Sequence, residues 1–175
     1  MITASSIRTR RLRLEPLTVR DIDVLFPVLD DPALHSFTGG EPRTRAELEA
    51  WITAVEPGSS PDGTRSWCNW LVVVIETGSV AGTVQATVEG DDASLAWVIG
   101  AAFQGQGYAK EAAVAMAAWL ADRGVTRFRA TIHPDHAASG TVADSLGMQP
   151  TDELVGDEVV WRSTGPPATD PTVAG

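Results

Sequence analysis

Six residues near the middle of the chain, Gln104-Gly105-Gln106-Gly107-Tyr108-Ala109, have the types and spacing to hold an anion. Small residues at Gly105, Gly107 and Ala109 let the backbone come close to a bound group. A helix that starts there aims unpaired N–H donors and the positive end of its dipole at that group. The chemistry this suits is the cradling of a phosphate. Spacing disfavours two nucleotide motifs with the same look: a P-loop needs Lys then Ser or Thr after Gly105, where Gln106 and Gly107 stand. A dinucleotide fingerprint begun at Gly105 needs its third glycine three places after Gly107, where Lys110 stands.

Few other residues carry chemistry in a recognisable pattern. Cys68 lies among Trp67, Asn69 and Trp70 in a strand-like run, which reads as packing rather than as a nucleophile. Glu76, Glu89, His35 and His133 are titratable, yet none sits in a motif that fixes a role as a base. His133, Asp135 and His136 crowd together, but adjacent positions on a Pro-containing turn rarely converge on one ion, and no metal is expected. Trp97, just before the glycine turn, is the aromatic residue placed to pack on a substrate.

Composition bounds the partners. The 175 residues suit one domain, expected over 8–163, followed by a tail at 164–175 whose Pro, Thr, Ala and Gly content reads as disordered. Thirteen Lys and Arg against 23 Asp and Glu leave a net charge of −10, which repels polyanions and anionic lipid surfaces and favours a cationic amine. Neither a nucleic-acid partner nor a membrane association is expected. One cysteine excludes an internal disulfide, and no apolar run after Met1 suggests a signal peptide or span, so the cytoplasm is the expected compartment.

The elements that must position the glycine turn follow from periodicity. Residues 11–17 alternate apolar and charged, a half-buried strand. Thr18 with Asp21 opens a short helix expected to kink or break at Pro27, and Asp30-Asp31-Pro32 begins a second turn or helix. Residues 37–42 read as a loop. Thr44 with Glu47 forms a capping box before Leu48, Trp51, Ile52 and Val55 at helical spacing. Residues 57–63 form a loop long enough to be mobile. Strands at 67–76 and 80–89 make a hairpin, and a turn at 90–92 leads into a strand at 95–99. An alanine-rich helix over 109–121 then crosses to a parallel strand at 125–132. A short helix near 137–146 and two weaker strands at 148–154 and 158–162 complete the chain.

Over nearly all of residues 8–163 this order resembles the GNAT N-acetyltransferase superfamily, whose Gln/Arg-x-x-Gly-x-Gly/Ala signature Gln104-Gly105-Gln106-Gly107-Tyr108-Ala109 matches. The branch of ribosomal-protein alanine N-acetyltransferases is resembled further. Its features recur as Thr9-Arg10-Arg11-Leu12-Arg13-Leu14, Asp30-Asp31-Pro32, His133-Pro134-Asp135-His136-Ala137-Ala138-Ser139 and Leu146-Gly147-Met148. The resemblance implies a single α/β domain with a mixed, mostly antiparallel sheet, a central parallel βαβ unit and flanking helices. Acetyl-coenzyme A is the implied cofactor and a homodimer the implied assembly.

Carried over by residue, it assigns Val98 and Ile99 to backbone hydrogen bonds with the pantetheine arm. Gln104, Gly105, Gln106, Gly107, Tyr108 and Ala109 take the pyrophosphate through main-chain amides, and His136 and Ser139 lie beside the pantetheine or the adenine end. His136 replaces the family's usual Asn. Ala143 stands where many members have a Tyr that protonates the leaving thiolate, and Ser94 where this branch often has an acid, so the acid and base are unassigned. The implied reaction is direct attack of a primary amine, from a small molecule or a protein N-terminus, on the thioester in a ternary complex. A non-catalytic acyl-coenzyme A sensing domain is the alternative, and a different nucleotide-binding enzyme a third, separable by ligand preference.

Overall fold

The computed structural model describes residues 1–36 and 41–163. The loop expected at 37–42 lies mostly outside them, and so does the tail from 164. Eight strands form one sheet: β1 (Ile7–Arg8), β2 (Leu12–Pro16), β3 (Ser66–Val74), β4 (Val80–Glu89), β5 (Asp92–Ile99), β6 (Arg127–Ile132), β7 (Met148–Val155) and β8 (Glu158–Ser163). Their spatial order is β1-β2-β3-β4-β5-β6-β8-β7, and every pairing is antiparallel except β5 with β6. Among the described residues four α-helices flank it: α1 (Ile22–Leu29), α2 (Arg45–Val55), α3 (Tyr108–Ala121) and α4 (Ala137–Ser145). Among the described residues no helix is long and apolar enough to cross a membrane.

The helices divide between the two faces. Leu25 of α1 and Leu48 and Ile52 of α2 cover Leu71 and Val73 of β3, forming one buried cluster. The larger core lies under α3 and α4, where Ala112, Ala113, Met116, Ala117 and Leu120 meet the inward residues of β2 to β6. Alanines on this face let α3, the β5–β6 crossover, pack close on the strands. Trp70 is fully buried there, its ring edge-on to Trp119 at 5.3 Å between centroids.

Several local expectations change: the strand expected at 67–76 ends at Val74, and the one expected at 95–99 begins at Asp92. α1 runs unbroken through Pro27. The proline's missing N–H forfeits only one bond, to the carbonyl of Asp23 in the first turn, and burial of Ile22 and Leu25 holds the helix together. The 125–132 strand begins at Arg127, because Val125 and Thr126 hydrogen-bond Leu120 and Asp91 in the turn leading to it. The Thr44–Glu47 capping box is present, with the Thr44 amide donating to Glu47 Oε2 at 2.8 Å and the Glu47 amide donating to Thr44 Oγ1 at 3.3 Å.

Candidate active site

The parallel contact between β5 and β6 is short. Asp92, Ala93 and Ser94 pair with Arg127, Phe128 and Arg129, and there the ladder ends. Beyond it β5 stays with β4 as far as Ile99, while β6 stays with β8 as far as Ile132. The strands therefore part toward their carboxyl ends and leave two facing edges. Such ends of parallel strands are where α/β units bind ligands. A cavity of about 680 Å³ fills the opening.

The glycine turn closes one end of this cavity. Gly105 and Gly107 have φ of +75° and +78°, the left-handed region that glycine enters without steric cost, and α3 begins immediately after at Tyr108. The first amides of α3 have no partner within the helix, so they are free to meet an anion. Gly105, Gly107, Tyr108, Ala109 and Lys110 all line the cavity, and Lys110 adds a cation to the helix start.

A network behind the turn fixes it. The Glu111 carboxylate accepts from Thr9 Oγ1 at 2.6 Å, from the Arg11 amide at 2.9 Å and from Arg11 Nε at 2.6 Å. Burial alone would raise the Glu111 carboxyl, but these donors outweigh it and hold it below the usual carboxylate range. Arg11 then reaches the turn itself, donating from Nη1 to the Gln106 carbonyl at 2.9 Å and lying 4.9 Å from the Tyr108 ring centroid. Gln106 does not line the cavity; its carbonyl serves this anchor.

Gln104 does more with its side chain than the sequence suggests. Its Nε2 donates to the Ile99 carbonyl at 3.0 Å, which ties the turn to the end of β5. On the opposite side of the strand the Val98 carbonyl packs on Gly82, where a Cβ would fall 2.0 Å from the oxygen, and the Gly100 amide donates to the Ala81 carbonyl at 2.9 Å. Strand alternation therefore turns the main chain of Trp97 and Ile99 toward the opening and that of Val98 toward β4. Val98 lines the cavity with its side chain, 40% exposed, while its carbonyl faces away.

Three more expected residues meet across the opening. Trp97 Nε1 donates to Ser139 Oγ at 3.3 Å, joining β5 to α4. His136 is the N-cap of α4, its Nδ1 accepting from the Ser139 amide at 3.3 Å, so imidazole fills the capping role for which Asn is also suited. All three line the cavity.

The cap also makes a pH prediction. Burial foremost, and His133 in addition, hold His136 below its ordinary pKa of 6.5. A lowered value means the unfolded chain binds the proton first, so the stabilisation is complete above the unfolded pKa and is lost as pH falls through the folded one. Protonation also removes the lone pair that caps α4, an interaction worth about 1 kcal/mol. In thermal melts between about pH 7.5 and about pH 5, His136→Asn, which keeps a cap at every pH, is expected to lose roughly 2–4 °C less than the unsubstituted protein.

Of the titratable candidates, Glu76 lies in the turn after β3 and Glu89 at the end of β4, and only His133 lines the cavity. Cys68 is fully buried in the core and its thiol is pushed up to about 11 by that burial, which removes it as a nucleophile. Sequence reasoning missed Gly82, the Arg11–Glu111 pair, Lys110 and Glu158, the carboxylate that lines the cavity. Gly82 had a signal, an isolated glycine within a β-rich run; the pairing of Arg11 with Glu111 across 100 positions had none.

The architecture is a mixed α/β sheet that opens beside a glycine turn and the start of a helix. Residues 11–149 match the model of the acetyltransferase (GNAT) domain, and the chain belongs to that family. Among solved structures, the GNAT-family acetyltransferase from Bacillus anthracis is 17% identical with a TM-score of 0.74, covering 90% of this chain and 97% of its own. RimL, a ribosomal L7/L12 alpha-N-protein acetyltransferase in complex with coenzyme A, is 18% identical with a TM-score of 0.73, covering 90% and 97%. An acetyltransferase from Thermus thermophilus is 21% identical with a TM-score of 0.72, covering 90% and 98%. No curated protein matches significantly.

Proposed function

We propose that the protein transfers an acetyl group from acetyl-coenzyme A to a primary amine, of a small molecule or a protein N-terminus, by direct attack in a ternary complex. The observation that carries this reading is the single cavity running from the start of α3 into the opening between β5 and β6. The amides at Gly105 to Ala109, with Lys110, would hold the diphosphate of the cofactor. The gap-side main chain of Trp97 and Ile99 would bind the pantetheine arm and polarise the acyl carbonyl, Val98 contributing its side chain, with Trp97, His136 and Ser139 walling the arm. When bound, the cofactor supplies the activated acyl group; the chain supplies orientation and oxyanion stabilisation, effects that together lower such barriers by several kcal/mol, on the order of 10²–10³ in rate for one oxyanion donor.

The acceptor side is consistent with a cationic amine, given the net charge of −10. The same reading takes the domain as residues 8–163, the cytoplasm as compartment and a homodimer as assembly. Thiol release across an amine panel is the test. Turnover with intersecting double-reciprocal lines, and no acetyl group trapped on Cys68, is the expected result; parallel lines with acetylated enzyme would overturn direct transfer. Ala143 is fully buried and offers no hydroxyl for the leaving thiolate. Binding of acetyl-coenzyme A with no turnover on any amine would therefore favour the sensing domain.

A further inference from the structure

We infer that Glu158 is the carboxylate that holds the acceptor's ammonium group and takes its proton, an inference that rests on the acetyltransferase reading above.

The sheet register puts it in place. Ser94, Arg129 and Arg162 lie side by side across β5, β6 and β8. Four residues further along, toward the open end, the same row reads Val98, His133 and Glu158, all on the face of the sheet opposite α3 and α4. The strands have parted at that level, so the row spans the cavity, and all three residues line it. Ala33 and Leu34, from the short 3-10 segment after α1, line the same cavity. The start of α3 with Lys110 also lines the cavity but belongs to the helix on the other face of the sheet. A group entering from the Glu158 side therefore reaches the acyl carbon across from the cofactor.

The neighbouring groups leave this role to Glu158. His133 Nδ1 already accepts from the Asp135 amide at 3.2 Å, which puts the ring proton of the neutral form on Nε2, 3.9 Å from Asp157 Oδ2. Its acceptor nitrogen is engaged, so it is poorly placed to take a proton from an amine. Asp135 and Asp157 are solvent carboxylates, their side chains 82% and 80% exposed. Glu158 is half-buried and faces the cavity, and its carboxylate has no hydrogen bond or ion pair with any described residue. A carboxylate in that position is available to an incoming ammonium ion.

The step balances without another reactant. The bound ammonium gives one proton to the Glu158 carboxylate, and the freed lone pair forms the C–N bond at the thioester carbon. The C–S bond breaks, and the coenzyme A thiolate takes up the second proton shed by the nitrogen. Glu158 then returns its proton to solvent, so the sum is amide, free thiol and one proton.

The test compares Glu158→Gln with the unsubstituted protein on two acceptors: an ordinary alkylamine, cationic at neutral pH, and a weakly basic amine such as trifluoroethylamine, already neutral there. The expected result is a loss of about 10²-fold in kcat/KM for the alkylamine and only a few-fold for the weak base. Acetyl-coenzyme A affinity by calorimetry and the melting temperature should be unchanged, and Glu158→Asp should recover part of the alkylamine activity. Equal losses on both amines, or none, would overturn the role of Glu158 while leaving acetyl transfer intact. If the unsubstituted protein binds the cofactor yet acetylates neither amine nor any in a broader panel, the acetyltransferase reading fails and this inference fails with it.

Discussion

Gly82→Ala is expected to destabilise the protein by about 3 kcal/mol, lowering its melting temperature by roughly 10 °C, and to weaken acetyl-coenzyme A binding further than stability alone explains. The added Cβ would sit 2.0 Å from the Val98 carbonyl oxygen and 3.0 Å from the Ile99 Cα. Both are backbone atoms, so no side-chain rotation relieves the clash and the strands must separate. β4 already carries an irregularity here, because Val72 pairs with Gly82 and Val73 with Val80, leaving Ala81 outside the ladder. Displacement of β5 at Val98 and Ile99 would also stretch the Gln104–Ile99 bond and so move the glycine turn. Denaturant unfolding reads the first effect and calorimetry the second. A variant with unchanged midpoint and unchanged affinity would show that the close approach has no structural consequence.

The second large effect is at Gly107. Gly107→Glu puts a side chain on a residue with φ of +78°, costing about 1 kcal/mol in strain, and aims a carboxylate at the diphosphate position. Two like charges about 4 Å apart at the protein surface repel by about 4 kcal/mol, so even half of that predicts roughly 30-fold weaker binding of acetyl-coenzyme A. Arg11, whose Nη2 lies 3.5 Å from where the Cβ would be, is already committed to Glu111 and the Gln106 carbonyl and neutralises the new charge only by leaving them. Gly107→Ala separates the two causes, since it carries the strain without the charge and should lose only a few-fold. Melting temperatures near that of the unsubstituted protein, within roughly 4 °C, would confirm that binding and not folding is affected.

Local signals were legible and distant ones were not. The Thr44–Glu47 capping box, the β4 strand from Val80 to Glu89 and the α3 helix after Gly107 depend on residues a few places apart, and each appears where its spacing puts it. The parallel β5–β6 pair follows from the length of the crossover. The order β6-β8-β7 does not, because the final hairpin could add either strand first, and the hydrophobic pattern of 148–155 is weak. β1 has two residues, too few to show a period.

Within the site the same division holds. The glycine turn is visible as a compact motif, His136 and Ser139 follow from the family resemblance, and all of these line one cavity except Gln106. That the sheet parts after Ser94 is a matter of where hydrogen bonding stops, which no residue type announces. Arg11 and Glu111 meet because β2 passes under the start of α3, a contact between positions 100 apart. Glu158 carries no motif, and only the sheet register brings it level with Val98.

The proposed function requires one bend of backbone amides to hold a diphosphate while the parted strands seat the acyl sulfur. A crystal structure of the protein soaked with coenzyme A tests it most directly. The predicted result is diphosphate oxygens about 2.7–3.2 Å from amide nitrogens between Gly105 and Ala109, with the sulfur in the opening between Val98 and His133. A diphosphate bound instead in the separate cavity of about 370 Å³ beside Asp144 and Trp161, or a thiol lying outside the opening, would contradict it.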